Sequence, residues 1–253
     1  MKNPLQRTIK RLSHRLIPPR VLKHQIAYRN WRRGEIEIRY LDQLINPAQG
    51  SIDIGAYLGA YTYFLAKLTR HVHAFEPQTH CNRFLRRAFK QNVTVYDYAL
   101  SNYEGRVTMR HAGDEMPNQG ASLESSEKSR HTASDEGSAL TVDVKRLDSF
   151  ELDNIGFIKI DAEGEETNVL AGATQTIANN RPTLLIEIEQ RHRQGNIYDV
   201  FREVEALDYR GEFICAGEIH ALQSFSVDEH QHARLAGDRS KPYINNFIFK
   251  SNT

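Results

Sequence analysis

From residue 51 onward, short apolar runs alternate with amphipathic stretches. Residues 51–54 read as a strand, and a glycine-containing turn leads to a helix ending near Arg70. A second strand is expected over 71–76, a helix over 79–90 and a third strand over 93–99. After a strand at 140–144 the rhythm resumes: strand 157–161, helix 165–180, strand 183–188 and helix 197–207, with closing strands at 213–215 and 244–250. Strands of this length separated by helices imply an α/β fold with parallel pairing through right-handed crossovers. Two stretches depart from this pattern. Residues 111–138 are polar and nearly free of apolar side chains, as in a long surface loop, and they could form a lid over a bound molecule. Near the start, Leu5, Ile9, Leu12 and Leu16 recur at helical spacing, and Pro18 and Pro19 should end that helix.

Charge sharpens the division. The 253 residues carry 33 Lys+Arg and 32 Asp+Glu, a net of +1. Yet residues 1–34 hold ten basic side chains and no acid, which leaves a net of −9 on the remainder. The chain is therefore read as a basic helical arm, 1–34, on an acidic domain, 35–253. Residues 1–20 offer a candidate contact with an anionic membrane face. A nucleic-acid partner is not expected for an acidic body. No apolar run approaches the length of a membrane span. The two cysteines, Cys81 and Cys215, cannot build a disulfide framework or a cysteine zinc site. The expectation is a soluble cytoplasmic protein.

The first chemical signal is Asp53-Ile-Gly55-Ala-Tyr57-Leu-Gly59 at a strand-to-helix junction. Glycines there let the backbone approach a ligand beside a helix start. A dinucleotide fingerprint would space its glycines G-x-G-x-x-G; here the spacing is G-x-x-x-G, with an acid two residues before the first glycine. Asp53 would repel a pyrophosphate and suit an ammonium. The next strand ends in Glu76-Pro77, where a carboxylate can accept both hydroxyls of a ribose. A nucleoside with a cationic amino-acid tail, S-adenosylmethionine (SAM), fits both acids. Tyr57 could face the sulfonium or simply pack against the ligand.

The second signal is Lys159-Ile-Asp161-Ala-Glu163-Gly164-Glu165-Glu166. Lys159 interrupts an apolar strand and needs a buried partner, for which Glu187 in the next strand is the candidate. Asp161 and Glu163 fall at the carboxyl end of their strand, the ligand edge of an open α/β sheet. Glu165 and Glu166 are read as acids that offset a helix dipole.

With these motifs, and with Ala99-Leu-Ser101, Arg146-Leu-Asp148 and Asn246-Phe-Ile-Phe249, the chain from about residue 51 to 249 resembles the FkbM family of SAM-dependent methyltransferases. The resemblance implies a class I, Rossmann-like sheet of seven mostly parallel strands, the last antiparallel. It implies O-methylation of a hydroxyl on a sugar, glycan or secondary metabolite. It places Asp53, Gly55, Tyr57 and Gly59 around the methionine half of SAM, Glu76 on the ribose, Tyr98 and Ala99 near adenine, and Asp161 and Glu163 at the acceptor. Family members usually carry Asn where this chain has Tyr57.

An aliphatic hydroxyl needs a base, and Glu163 is the first candidate, ahead of Asp161, Glu189 and His192. Carboxylates at one edge could also hold Mg²⁺, but no metal is expected. Alternatives are an NAD-dependent nucleotide-sugar oxidoreductase or epimerase, an RNA methyltransferase, and a non-catalytic membrane-tethered binding protein.

Overall fold

The computed structural model of the chain describes residues 17–110, 123–124 and 139–252. The expected helix over Leu5–Leu16, most of the 1–20 membrane-contact segment and most of the 111–138 loop lie outside the described residues. In chain order the strands are β1 (Gly50–Ile54), β2 (Val72–Phe75), β3 (Val93–Tyr96), β4 (Tyr98–Leu100), β5 (Gly105–Arg110) and β6 (Leu123–Glu124). They continue with β7 (Ala139–Lys145), β8 (Ile155–Ile160), β9 (Thr183–Glu187), β10 (Tyr209–Cys215), β11 (Glu218–Ala221) and β12 (Asn246–Ser251). The main sheet runs β11-β10-β12-β9-β8-β1-β2-β3, and β1, β2, β3, β8 and β9 are mutually parallel. The last strand, β12, lies antiparallel between β9 and β10, as expected. Seven strands follow the expected arrangement and β11 adds an eighth as a hairpin on the edge. Its sequence, Glu-Ile-His-Ala, is too short and exposed to have carried a hydrophobic signal.

The parallel strands are covered on both faces and so read as continuous apolar runs. Ile52, Phe157, Ile158, Leu184 and Leu185 are fully buried. The expected third strand breaks at Asp97: β3 pairs with β2, whereas β4 turns into a second sheet, β4-β7-β5-β6. The expected helix over 165–180 is two helices, Glu166–Ala171 and Thr174–Asn180. Gly172 stands at the break, and only glycine fits there, because a Cβ would stand 2.1 Å from the Ser101 carbonyl oxygen.

Pro19 begins a helix, α1 (Pro19–Arg33), where its fixed φ and missing N–H are tolerated. α1 buries Leu22, Ile26 and Ala27 against α3 (Ala60–Leu68) and α4 (Thr79–Ala88), with the short α2 (Leu41–Leu44) between in sequence. Residues 19–33 are thus packed on the body they differ from in charge. Among the described residues no helix is long and apolar enough to cross a membrane.

Candidate active site

The carboxyl ends of β1, β8 and β9 and the segment 29–37 enclose two neighbouring cavities. The smaller, about 280 Å³, is lined by Asp53, Gly55, Tyr57, Tyr61, Lys159 and Asp161, with Arg29, Asn30 and Glu35 from the N-terminal side. The larger, about 800 Å³, shares Arg29, Asn30, Glu35 and Asp161 with it and adds Glu37, Glu163, Glu187, Glu189, Arg191, His192 and Tyr243.

In the smaller cavity, Asp53 stands near the end of β1, buried, and accepts a hydrogen bond from Thr62 Oγ1 at 2.5 Å. Burial raises its pKa to about 6, against the pull of the Thr62 hydroxyl and the charge of Lys159. Gly55 has φ +76°, and a Cβ there would lie 2.0 Å from the Asp161 carbonyl oxygen. The ends of β1 and β8 therefore touch through bare backbone, and the Asp161 N–H donates to the Ile54 carbonyl at 3.1 Å. Tyr57 has φ +47°, in the left-handed region where Asn is among the least costly non-glycine residues. That conformation accounts for the Asn that the resemblance leads one to expect there. A buried acid beside backbone bared by glycine fits the cationic amino-acid end of SAM.

Gly59 also has φ +76°, but its missing side chain makes room for Leu85 and Phe89 of the neighbouring helix, 2.8 and 2.7 Å from a Cβ. It caps α3 and lines neither cavity, and the space it frees is filled by packing. Glu76 is buried, and its two carboxylate oxygens accept backbone N–H groups of Tyr57 at 2.7 Å and Gln78 at 2.8 Å. Burial lifts it to about 7 despite those bonds. Each oxygen retains acceptor capacity, although Glu76 lines neither cavity. Tyr98 and Ala99 belong to β4; Ala99 packs with Val107, Met109 and Val144, and both stand apart from the two cavities. Beside them a cavity of about 370 Å³ is lined by Pro77, Asn82, Asp97 and Asp143.

Lys159 is buried and lies 3.7 Å from Glu187, the partner expected from sequence. It also donates to Asn246 Oδ1 at 3.0 Å, sits 3.9 Å from Asp161 and faces the Tyr61 ring at 5.2 Å. Burial opposes its charge, but Asp161, Glu35 and Glu187 outweigh it and hold its pKa above the usual lysine range. Asp161 and Glu187 are pushed well above ordinary carboxylates, chiefly by burial; the charge of Glu35 adds to both, and that of Asp161 raises Glu187 further.

Glu163 follows β8 in a left-handed turn at φ +50°, with Gly164 at φ +103° behind it. The turn puts its carboxylate on the larger cavity, 3.3 Å from His192 Nδ1. Burial, then the carboxylates of Glu187, Glu189 and Glu166, raise it to about 7. His192 is lowered, mainly by burial. Glu189 differs: hydrogen bonds from Arg191 and Tyr243 overcome its burial and keep its pKa low. Glu166 is not a solvated dipole acid; it is buried, accepting the Gly164 N–H at 2.7 Å and pairing with Arg193 at 3.0 Å. Among the described residues no cluster of three or more metal-ligating side chains has the geometry to hold a metal ion.

Sequence reasoning passed over Arg29, Asn30, Glu35, Glu37 and Tyr243. Glu35 accepts the Tyr61 hydroxyl at 2.6 Å and Asn246 Nδ2 at 3.1 Å, tying the N-terminal segment to β12. One signal was present: Glu35 and Glu37 are the first acids after the basic run, and Glu37 stands between two isoleucines.

A mostly parallel sheet with its last strand antiparallel, and a glycine-turned cavity at the carboxyl end of its first strand, define a class I methyltransferase fold. Residues 53–211 match the Methyltransferase FkbM domain, and the chain belongs to that family, whose methyl donor is SAM. Among solved structures it is similar to methyltransferase FkbM from Methylobacillus flagellatus KT, at 19% identity over 88% of this chain, TM-score 0.49. The chain spans about half, 52%, of the length of that protein. An rRNA methylase from Streptococcus thermophilus is 13% identical over 86% of this chain and 95% of its own, TM-score 0.45. A Streptococcus mutans protein solved in complex with SAH is 13% identical over 85% of this chain and 96% of its own, TM-score 0.45. No curated protein sequence matches this chain.

Proposed function

We propose that this protein O-methylates a hydroxyl of a sugar, a glycan or a secondary metabolite. The observation that carries the reading is the pair of adjoining cavities that share Asp161, one walled by Asp53 and the Gly55 backbone and the other by Glu163. SAM, when bound, supplies an electrophilic methyl group. Asp53, Gly55 and Tyr57 hold its methionine half, and Glu76 and the cavity bounded by Pro77 and Asp97 receive its adenosine half.

The larger cavity takes the acceptor. Its polar walls suit a polyhydroxylated molecule, and holding two reactants in adjoining cavities removes much of the entropic barrier. Glu163 is the general base. A pKa of about 7 leaves a useful ionised fraction at neutral pH while making the group a competent proton acceptor. Asp161 and Lys159 fix the partition between the cavities: the ammonium orients Asp161, and Asn246 and Glu187 orient the ammonium.

Incubation with methyl-labelled SAM and a panel of glycans, nucleotide sugars and hydroxylated metabolites tests the reading. Label on a saccharide or metabolite hydroxyl is the expected result. Label entering RNA or protein instead, or NAD binding without SAM binding, would overturn it.

A further inference from the structure

The outward face of α1 carries apolar side chains that the fold does not bury. Val21, His24, Tyr28 and Trp31 recur at i, i+3, i+7 and i+10, one stripe of the helix, turned away from the Leu22, Ile26 and Ala27 that it packs inward. Val21 is 51% exposed, Tyr28 59% and Trp31 46%. They are three of the seven large apolar side chains left exposed among the described residues, so the surplus is gathered on one helix rather than scattered.

Positive charge frames the stripe. Arg20 and Arg32 are exposed on either side of it, and Arg39 lies over the Trp31 ring at 5.6 Å while donating to the Trp31 carbonyl at 2.9 Å. Among the described residues none of these three arginines forms an ion pair with an acid. Residues 1–34 hold no acid at all, and the sequence ahead of α1 adds Lys2, Arg7, Lys10, Arg11 and Arg15. Aromatic rings set between guanidinium groups are the chemistry of a helix that lies in a membrane interface. The rings enter the headgroup region, and the arginines, with stems along the apolar surface, meet anionic lipid phosphates. A nucleic-acid strand would use the same charges, but it gains nothing from Val21 or from the aliphatic spacing of Leu5, Ile9, Leu12 and Leu16.

We propose that the outward face of α1 docks this protein on an anionic membrane surface, with Tyr28 and Trp31 at headgroup depth and Arg20, Arg32 and Arg39 on the lipid phosphates. The same helix lines the larger cavity with Arg29, Asn30 and Arg33, so docking sets that cavity beside the headgroups. The docking face is separate from the methyl-transfer chemistry, and its test needs neither SAM nor an acceptor.

Trp31 is the sole tryptophan of the chain, so its emission reads this face alone. The full chain is titrated with phosphatidylcholine vesicles, with vesicles that also contain phosphatidylglycerol, and with an RNA oligonucleotide. The anionic vesicles should move Trp31 emission to shorter wavelength, brominated acyl chains should quench it, and neutral vesicles should bind at least about tenfold more weakly. Arg20→Gln combined with Arg32→Gln should weaken sedimentation with anionic vesicles by about 25-fold, because each basic residue at the surface contributes about fivefold. The emission measurement on the unaltered chain stands even if that double variant fails to fold. No vesicle binding, equal binding to both vesicle types, undiminished binding of a folded double variant, or RNA that shifts Trp31 where vesicles do not would each overturn the proposal. Sedimentation with anionic vesicles while Trp31 emission stays unchanged would overturn it too, and would move the contact to residues 1–16.

Discussion

Replacing Lys159 by Met removes a buried cation that faces both Asp161 and Glu187 while keeping a side chain of similar length. At separations of 3.7 and 3.9 Å each attraction is worth about 4 kcal/mol at an effective dielectric of about 20. Desolvation of the ammonium offsets part of this, so the net loss expected on breaking a buried pair is about 3–5 kcal/mol. For a chain of this size that lowers Tm by roughly 6–20 °C. The pH dependence is the sharper signature. Asp161 and Glu187 already titrate above their unfolded values, and without Lys159 they rise further. The folded variant then binds more protons than the unfolded chain, so its stability falls as pH rises from about 4 toward the folded pKa values. Chemical denaturation of wild type and Lys159→Met at pH 5.5 and pH 8 should show a larger deficit at pH 8. Adding Glu187→Gln to the variant should restore part of the loss. A deficit below about 1 kcal/mol, or one equal at both pH values, would refute the reasoning.

Other outcomes can be checked separately. Glu163→Gln should lower kcat by about 10²–10⁴-fold with SAM affinity unchanged in calorimetry. In wild type, kcat/KM should rise between pH 6 and 8 as Glu163 ionises around its value of about 7, and the Gln variant should lose that limb. Gly55→Ala places a methyl 2.0 Å from the Asp161 carbonyl in a left-handed conformation. It should cost at least about 1–2 kcal/mol in denaturant unfolding from the backbone alone and weaken SAM binding; unchanged affinity would argue against the bared backbone as the contact. Asp53→Asn should weaken SAM by about tenfold or more, because a charge-assisted bond becomes a neutral one. A comparable loss for adenosine, which lacks the amino-acid tail, would assign Asp53 to the wrong half of the cofactor.

Much of the candidate site was legible because it lies where local rules are strict. Asp53, Gly55 and Tyr57 occupy one strand-to-helix turn, and Asp161 and Glu163 another, so sequence spacing alone brings each group to the ligand edge of the sheet. The pairing of Lys159 with Glu187 followed from the cost of a charge in an apolar strand. Gly59 shows the limit of this reasoning. Its left-handed φ was as readable as that of Gly55, but that the space it frees is taken by Leu85 and Phe89, and that of Gly55 by the Asp161 carbonyl, depends on what packs there. The break at Asp97, which carries Tyr98 and Ala99 into a second sheet, likewise depends on β7, more than forty residues away in sequence.

The sequence by itself determined the alternation of strands and helices, the parallel sheet and the two loops that carry the acids, because periodicity and glycine placement act over a few residues. The tertiary structure alone decided the larger cavity. Arg29 and Glu37 from before the first strand and Tyr243 from before the last meet across it, and no local pattern brings them together. The basic run of residues 1–34 shows the same division. Its composition marked it as separate from the body, whereas burial of Leu22, Ile26 and Ala27 against α3 and α4 made residues 19–33 part of it. Charge is a property of the chain, but which wall a helix completes is set by the apolar face it buries.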